Sequence, residues 1–273
     1  MRRERLTQAP HSPEDGVSGV CYAPRAMAGY PTLGSKEQTA LLQGILERIR
    51  RSGPRPGVIV LDLDGTIHDN RPRSAVILQE LAELWHESFP AEAERARQAK
   101  PESLAYLFQD TLAKLGVHEP SLVGQAVTFW KERFFRDQYL SHDAEVPGAA
   151  AFARAAHEAG GIIVYLTGRD LPNMSAGSWS SLRTLGFPIG VVGTELVCKP
   201  HFDLPDEHFK REIAPTIARL GEVVAAFDNE PGNCNVFLRA HPGCTSVLLD
   251  TQHVPGAPRL DDGVVCLSDF VMG

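Results

Sequence analysis

The sequence predicts an α/β protein, in which a doubly wound parallel sheet carries a helical cap inserted after its first strand. Short, almost entirely apolar runs alternate with helical patterns, which is typical of a parallel sheet covered by helices on both faces. After the first run the alternation stops, and from residue 71 to residue 144 apolar side chains recur three and four positions apart without a strand-like run. The predicted strands are residues 57–64, 161–169, 189–193, 222–229 and 245–250.

The chain before the first strand divides into two parts. Residues 1–34 are rich in Pro, Gly, Ser and charge and offer little that could form a core, so we expect a mobile leader without a chemical role. Residues 35–56 have apolar side chains at helical spacing up to Ile49, with Ser35 as the expected cap, and then Pro and Gly residues that break a helix. This pattern predicts a helix and a linker into the main domain.

Residues 57–70 and 145–273 form the predicted α/β core, and residues 71–144 form the predicted cap. Because strands and helices alternate along the core segments, a doubly wound sheet is expected there. The predicted core helices are residues 148–160, 179–186 and 206–221, and the predicted cap helices are residues 74–89, 102–116 and 121–140.

Composition narrows the classes of function. The net charge of −7 at pH 7 disfavours general affinity for nucleic acid or for an anionic membrane. The five cysteines are scattered without Cys-x-x-Cys spacing, so neither a disulfide framework nor a zinc site is expected. The charged N-terminus lacks an apolar segment behind it, and no run approaches the length of a membrane span. We therefore expect a cytoplasmic protein with reduced thiols and no membrane association.

The first predicted strand ends in two carboxylates, Asp62 and Asp64, followed by Gly65 and Thr66. Alternation along an extended chain sends both carboxylates to the same side, at the edge of the sheet where ligands of open α/β sheets bind. Two like charges placed together require a cation, and an oxygen-only site favours Mg²⁺. Gly65 permits a sharp exit from the strand, and the Thr66 hydroxyl can bond within the turn or to a carboxylate.

The second predicted strand ends in Thr167, Gly168 and Arg169. A hydroxyl, a backbone that a ligand can approach closely and a guanidinium together suit the oxygens of a phosphoryl group. These three residues predict an anion subsite.

The fourth predicted strand ends in the sequence Asp228-Asn229-Glu230, with Asn233 soon after. These side chains can supply further Mg²⁺ ligands and the groups that orient them. Either of two upstream lysines, Lys199 or Lys210, can neutralise a carboxylate and a phosphate oxygen.

The ordered set DLDGT, LTGR, a lysine and an acidic cluster after a strand resembles the haloacid dehalogenase (HAD) superfamily of phosphohydrolases, over roughly residues 57 to 250. The resemblance implies a HAD-like Rossmannoid core with a mobile cap, and it implies Mg²⁺ as cofactor. It implies that Asp62 is the nucleophile and forms an aspartyl-phosphate, and that Asp64 is the general acid and base. It further implies that Thr167 holds a phosphate oxygen, and that Asp62, the backbone carbonyl of Asp64 and Asp228 bind the metal.

Two features depart from the usual superfamily pattern. In the fourth motif, FDNEPGN, we take Glu230 as the further metal ligand, although Asn229 or Asn233 could complete the shell. The third-motif lysine could be Lys199, which precedes a proline, or Lys210. Because related acid phosphatases often show a Lys-Pro followed by a second, catalytic lysine, Lys210 is the favoured choice.

The cap is expected to choose the substrate, a small phosphorylated metabolite. At its beginning, Arg71 and Arg73 could contact an anionic leaving group or could anchor the hinge through salt bridges. An aromatic cluster within the cap is interpreted as internal packing in preference to a platform for a nucleic-acid base. The cluster consists of Phe129, Trp130, Phe134, Phe135 and Tyr139.

The leading hypothesis is a Mg²⁺-dependent phosphatase that hydrolyses a phosphate monoester through an aspartyl-phosphate. One alternative is a phosphatase acting on a nucleotide or a polynucleotide end, suggested by the arginine of the second motif and by the large cap. Another is a HAD-like binding or regulatory protein without turnover, suggested by the unusual fourth motif. The presence of both Asp62 and Asp64 argues against this second alternative.

Overall fold

The computed structural model describes residues 29–273, which contain a six-stranded parallel sheet and a two-stranded antiparallel ribbon. Residues 1–28 of the predicted leader lie outside the part of the chain that the structure describes. In chain order the strands are β1 (Gly57–Leu61), β2 (His68–Asp69), β3 (Ala144–Glu145), β4 (Ile162–Asp170), β5 (Thr194–Lys199), β6 (Glu222–Asp228), β7 (Thr245–Leu249) and β8 (Val265–Leu267).

Helices cover both faces of the sheet and build the insertion after β2. Short 3₁₀ turns occupy Pro101–Ser103 and Asp137–His142. The α-helices are α1 (Ser35–Arg50), α2 (Arg71–Trp85), α3 (Pro90–Arg97), α4 (Phe108–Lys114), α5 (Pro120–Phe134), α6 (Ala149–Glu158), α7 (Leu171–Thr184), α8 (Asp206–Ile217) and α9 (Pro231–Ala240).

The sheet has the strand order β5-β4-β1-β6-β7-β8, and every neighbouring pair is parallel. Leu61, the last residue of β1, pairs with Tyr165 of β4 and with Phe227 of β6. The residues after these positions therefore lie together at the carboxyl edge of three adjacent strands. The predicted fold class, a doubly wound parallel sheet with helices on both faces, is confirmed.

Strand β1 is buried on both faces, which explains its continuous apolar sequence. Ile59 and Leu61 pack in the cluster that contains residues of α1 and α6, whereas Val58 and Val60 pack in the cluster that contains residues of α8 and α9. The alternation of side chains along a strand thus supports both helical layers.

The insertion has an apolar core of its own. Leu78 and Leu81 of α2, Trp85 at its end, and Phe108 and Leu112 of α4 are all buried in one cluster. The ribbon of β2 and β3 pairs His68 with Glu145, and it lies where the chain leaves the sheet and returns to it.

Several sequence predictions about elements were wrong. Residues 102–116, predicted as one helix, form a 3₁₀ turn at Pro101–Ser103, a loop and α4 from Phe108 to Lys114. Residues 189–193 form a turn in place of a strand, with Gly190 and Gly193 at φ values of 73° and 84°, and the edge strand is β5. Val192 is 97% exposed, so the apolar run there does not mark a buried strand. The predicted N-terminal cap of α1 was also wrong. The cap is Gly34 and not Ser35, because α1 already includes Ser35.

Several elements had no clear sequence signal. Strand β8 is only three residues long, and α9 begins with the sequence Pro-Gly-Asn-Cys-Asn, which is poor in helix-favouring residues. Four of the cysteines, Cys198, Cys234, Cys244 and Cys266, are free thiols, and Cys21 lies outside the described residues. Among residues 29–273, no helix is long and apolar enough to cross a membrane.

Candidate active site

Asp62 and Asp64 lie directly after β1, in the turn that leads to the cap. The Asp62 backbone N–H extends the ladder to Phe227, with an N–O distance of 3.0 Å. The turn is then closed by Gly65, which has a φ of 78° and donates its N–H to the carbonyl of His68 at 2.8 Å. A side chain at Gly65 would be strained and would collide with the amide of Asn229.

The Asp62 carboxylate is buried and accepts hydrogen bonds on both oxygens. The Thr66 hydroxyl donates to Oδ2 at 2.9 Å, and Lys210 Nζ donates to Oδ1 at 2.6 Å. The same Nζ lies 2.7 Å from Oδ2 of Asp228. Lys210 therefore joins the carboxylates that follow β1 and β6.

The other candidate lysine has different partners. Nζ of Lys199 contacts Asp206 at 2.8 Å and the carbonyl of Leu204 at 3.0 Å. Lys199 lies at the end of β5, whereas α8 carries Lys210 to the carboxyl ends of β1 and β6. Of the two lysines, the structure brings Lys210 to both Asp62 and Asp228.

Burial has the largest single effect on the pKa values of Asp62 and Lys210. It raises the pKa of Asp62 to about 7, against the opposing effect of the Lys210 ammonium. Burial also disfavours the charged form of Lys210, but the carboxylates of Asp228 and Asp62 outweigh it and raise the lysine pKa. Lys210 therefore stays charged, and its single positive charge only partly neutralises the carboxylates of Asp62 and Asp228.

The start of α9 orients the Asp228 carboxylate. Its Oδ1 accepts the backbone N–H of Glu230 at 2.9 Å and the side-chain amide of Asn233 at 3.1 Å. The Glu230 carboxylate accepts the N–H of Val254, and burial raises the pKa of Glu230 to about 7. The side-chain amide of Asn229 donates a hydrogen bond to the carbonyl of Gln252, and this contact orients the loop after β7.

The donor set is chemically suited to Mg²⁺. Asp62 and Asp228 present hard carboxylate oxygens at one point, and a single ammonium leaves part of their charge uncompensated. Within residues 29–273, no group of three or more His, Cys, Asp or Glu side chains converges closely enough to hold a metal by itself. Asp62 and Asp228 are therefore the side chains that fit the ion, and a backbone carbonyl such as that of Asp64 would have to supplement them.

Asp64 lies in a second charged cluster, on the cap side of the site. Arg169 donates to both of its oxygens at 2.7 and 2.9 Å, and Arg73 Nη2 donates to Oδ1 at 2.8 Å. Burial by itself would raise the pKa of Asp64, but the guanidinium groups of Arg169 and Arg73 outweigh it and hold that pKa well below its usual range. The carboxylate is ionised in this arrangement.

Both guanidinium groups share another acidic partner, Asp143. Arg73 makes two contacts with its carboxylate, and Arg169 Nη2 lies 2.7 Å from Oδ2. Buried beside them, His68 has its pKa lowered by burial and by Arg169, so its ring is neutral. The guanidinium of Arg169, predicted to face a phosphoryl group, is thus surrounded by carboxylates.

The remaining predicted anion-binding residues have varied surroundings. Thr167 is buried and its hydroxyl oxygen accepts the N–H of Arg169 at 3.1 Å. Gly168 lies against the carboxylate of Asp206, where a larger side chain would collide. Arg71 pairs with Asp69 through two contacts of 2.8 Å, which agrees with the salt-bridge alternative for the hinge.

A cavity of about 930 Å³ separates the cap from the sheet edge. Asp62, Thr167 and Lys210 line its floor, together with Glu230. Its roof includes the loop before α4, at residues 104–107, the first residues of α4 and part of α5. This volume is in the range of small-molecule sites.

The aromatic residues of the cap pack mainly on one another. The ring of Trp130 stacks on that of Phe108, with centroids 5.1 Å apart, and on that of Phe134, with centroids 4.3 Å apart. The guanidinium of Arg73 covers the Phe134 ring at 4.3 Å. These stacked contacts agree with the packing interpretation, and Trp130, Phe134 and Phe135 also line the cavity.

Sequence reasoning missed Asp143 and Tyr106. Asp143 has no neighbouring motif, and only the return of the chain beside β2 brings it to Arg169. Tyr106 lies in a loop between two cap helices, and burial beside the carboxylate of Glu230 raises its pKa. A tyrosine inside an otherwise apolar cap segment was its only signal.

Comparison with known proteins finds similarity among solved structures alone. No protein-family model matches the chain, and no curated protein sequence matches it. A provisionally assigned phosphatase from Clostridium difficile is 12% identical and has a TM-score of 0.49, with 73% of this chain and 88% of that chain covered.

Two further structures are similar at the same level. The protein tyrosine kinase PtkA of Mycobacterium tuberculosis is 14% identical with a TM-score of 0.48, covering 79% of this chain and 95% of that one. A HAD-superfamily hydrolase from Ehrlichia chaffeensis is 9% identical with a TM-score of 0.46, covering 80% of this chain and 94% of that one. The chemistry of this chain must therefore be argued from its own residues.

Proposed function

We propose that the protein is a HAD-type, Mg²⁺-dependent phosphatase that hydrolyses a small phosphate monoester through an aspartyl-phosphate on Asp62. The observation that carries the proposal is the contact of Lys210 Nζ with Asp62 at 2.6 Å and Asp228 at 2.7 Å, on the floor of a cavity closed by the cap. These residues come from separate parts of the chain and meet at the ligand-binding edge of the sheet.

In the first step an oxygen of Asp62 attacks phosphorus, and the bond from phosphorus to the leaving oxygen breaks. Thr66 and Lys210 hold the two oxygens of the carboxylate in place, so its orientation is fixed before substrate arrives. The Lys210 ammonium offsets negative charge on the nucleophile and on the phosphoryl oxygens. Thr167 lines the same floor and is positioned to donate its hydroxyl to a phosphoryl oxygen.

In the second step water attacks the aspartyl-phosphate and inorganic phosphate leaves. Asp64, ionised between Arg73 and Arg169, is suited to accept the proton of that water. To protonate a leaving group in the first step, Asp64 must take up a proton, and that requires weaker contact with its arginines. Bound Mg²⁺, which would be held by Asp62 and Asp228 with the backbone carbonyl of Asp64, would supply positive charge against the carboxylates and the phosphoryl oxygens.

The test is release of phosphate from a generic aryl phosphate by the purified protein with Mg²⁺. Asp62→Asn keeps the shape of the nucleophile and should lose essentially all activity. Asp203→Asn, an exposed aspartate that does not line the cavity, is the matched control and should retain full activity. Full activity in Asp62→Asn would exclude the covalent mechanism.

A second candidate function is a HAD-like binding protein without turnover. It is favoured by one observation, the engagement of both Asp64 oxygens by arginines. Such a protein would bind orthovanadate, an analogue of phosphate, but would release no phosphate from any monoester. Turnover that depends on Asp62 would exclude it.

A further inference from the structure

The loop that leads into α4 is held near its start by hydrogen bonds to both the cap and the core. The N–H of Ala105 donates to the Thr111 hydroxyl at 2.9 Å, within the cap. Gln252, in the loop after β7, donates its side-chain amide to the carbonyl of Leu104 at 2.7 Å. The next two residues, Tyr106 and Leu107, are therefore presented to the cavity by a fixed backbone.

Tyr106 and Leu107 expose unusual amounts of apolar surface for cavity residues. Their side chains are 43% and 40% exposed, and both line the cavity above the sheet edge. Phe135 lines the same cavity and adds a further apolar side chain to its lining. Apolar surface of this kind gains free energy when a ligand removes it from water.

The charges near this wall are mainly negative. Three carboxylates, those of Glu230, Asp206 and Asp62, line the same cavity as Tyr106. Most cations of the cavity have acidic partners: Arg71 pairs with Asp69, and Arg169 with Asp64. Among residues 29–273, the cavity cation without such a pair is Lys131 on α5. A second anionic group on a substrate would meet repulsion over most of the wall.

We propose that Tyr106 and Leu107 form the leaving-group subsite, and that it selects monoesters whose leaving group is aromatic or apolar and carries no further negative charge. This inference rests on the proposed phosphatase function and names its substrate class. Nucleosides and aryl-substituted alcohols belong to that class as leaving groups. Sugar bisphosphates and polynucleotide ends do not.

The experiment compares esters that differ in one group only. 2-Phenylethyl phosphate and ethyl phosphate have the same kind of reacting oxygen, and they differ in the phenyl ring. Propane-1,3-diol monophosphate and its bisphosphate differ in one phosphate. We expect wild-type kcat/KM to be at least about tenfold higher for the phenylethyl ester than for the ethyl ester, and higher for the monophosphate than for the bisphosphate.

The variant Leu107→Ala should reduce the ratio of kcat/KM for the phenylethyl ester to kcat/KM for the ethyl ester by about fivefold. Leu84→Ala is the matched control, because Leu84 is also an exposed leucine of the cap, at 63%, and does not line the cavity. The preference of Leu84→Ala for the phenylethyl ester over the ethyl ester should equal that of the wild type. Tyr106→Ala should act like Leu107→Ala.

The possible outcomes distinguish failure of the proposed subsite from failure of the proposed phosphatase function. An active wild type that shows no phenylethyl preference, or that prefers the bisphosphate, overturns the subsite alone. Equal losses on both esters in Leu107→Ala also overturn it. No turnover of any ester by a folded wild type overturns the proposed function and the subsite together.

Discussion

Arg73 and Asp143 form a buried ion pair that joins the first turn of the cap to the segment by which the chain returns to the core. Nε and Nη2 of Arg73 donate to the two carboxylate oxygens at 2.8 and 2.7 Å, and neither side chain is exposed. Arg73 also contacts Asp64, so one guanidinium bridges the hinge of the cap and the predicted acid. Hinge and site are therefore parts of one charged cluster.

Asp143→Ala should destabilise the protein by about 3–5 kcal/mol, because it leaves buried guanidinium groups without one of their carboxylates. Urea unfolding followed by circular dichroism measures the effect. Arg97→Ala is the control: it removes an exposed cap arginine paired with Glu83 and Glu94, and should cost much less stability. Equal costs for the two variants would contradict a structural role of the buried pair.

Lys210→Ala should lower kcat by about 10²–10³-fold, because it removes the ammonium that contacts both Asp62 and Asp228. Lys199→Ala removes a lysine whose acidic partner, Asp206, is largely exposed, and should lower kcat by less than about fivefold. Steady-state kinetics on one aryl phosphate compares the two. A larger loss in Lys199→Ala would assign the third-motif role to that residue.

Removal of divalent cations with EDTA should abolish phosphate release, and added Mg²⁺ should restore it. Asp228→Asn should raise the Mg²⁺ concentration needed for half-maximal activity by at least about tenfold, because it removes one of two convergent carboxylates. Calorimetric titration of the protein with Mg²⁺ checks the binding independently of turnover. Full activity in EDTA would show that the site works without a metal.

Asp62→Asn should be more stable than the wild type at pH 8, in the presence of EDTA. Burial raises the pKa of Asp62 from 3.8 to about 7, so the folded state favours the protonated form. This contribution to stability is fully present below pH 4 and is lost as the pH rises through about 7. The stability difference between variant and wild type should therefore grow from pH 4 to pH 7 and then level off.

Urea unfolding across that pH range measures the difference. The exposed Asp203→Asn is the control, and its difference from the wild type should not change with pH in this way. A constant difference for Asp62→Asn would show that burial does not penalise the ionised nucleophile. Such a penalty is a common consequence of placing a reactive charge in a folded protein.

The core of the fold could be predicted from the sequence because its pattern is locally encoded. The runs that became β1, β4, β6 and β7 are apolar on both faces, and their alternation with helices leaves few other arrangements. Local patterns failed where the run was short or interrupted by glycine. Gly190 and Gly193 turn the chain before β5, and β8 has only three residues.

The sequence by itself determined which chemical groups end the strands, since Asp62, Thr167 and Asp228 follow apolar runs and parallel strands end at one edge. Only the tertiary structure decided which lysine joins them, because that depends on where α8 packs against the sheet. It alone surrounded Arg169 with Asp64 and Asp143, and it alone brought Tyr106 into contact with Glu230. Those contacts connect residues distant in sequence, and no local propensity encodes them.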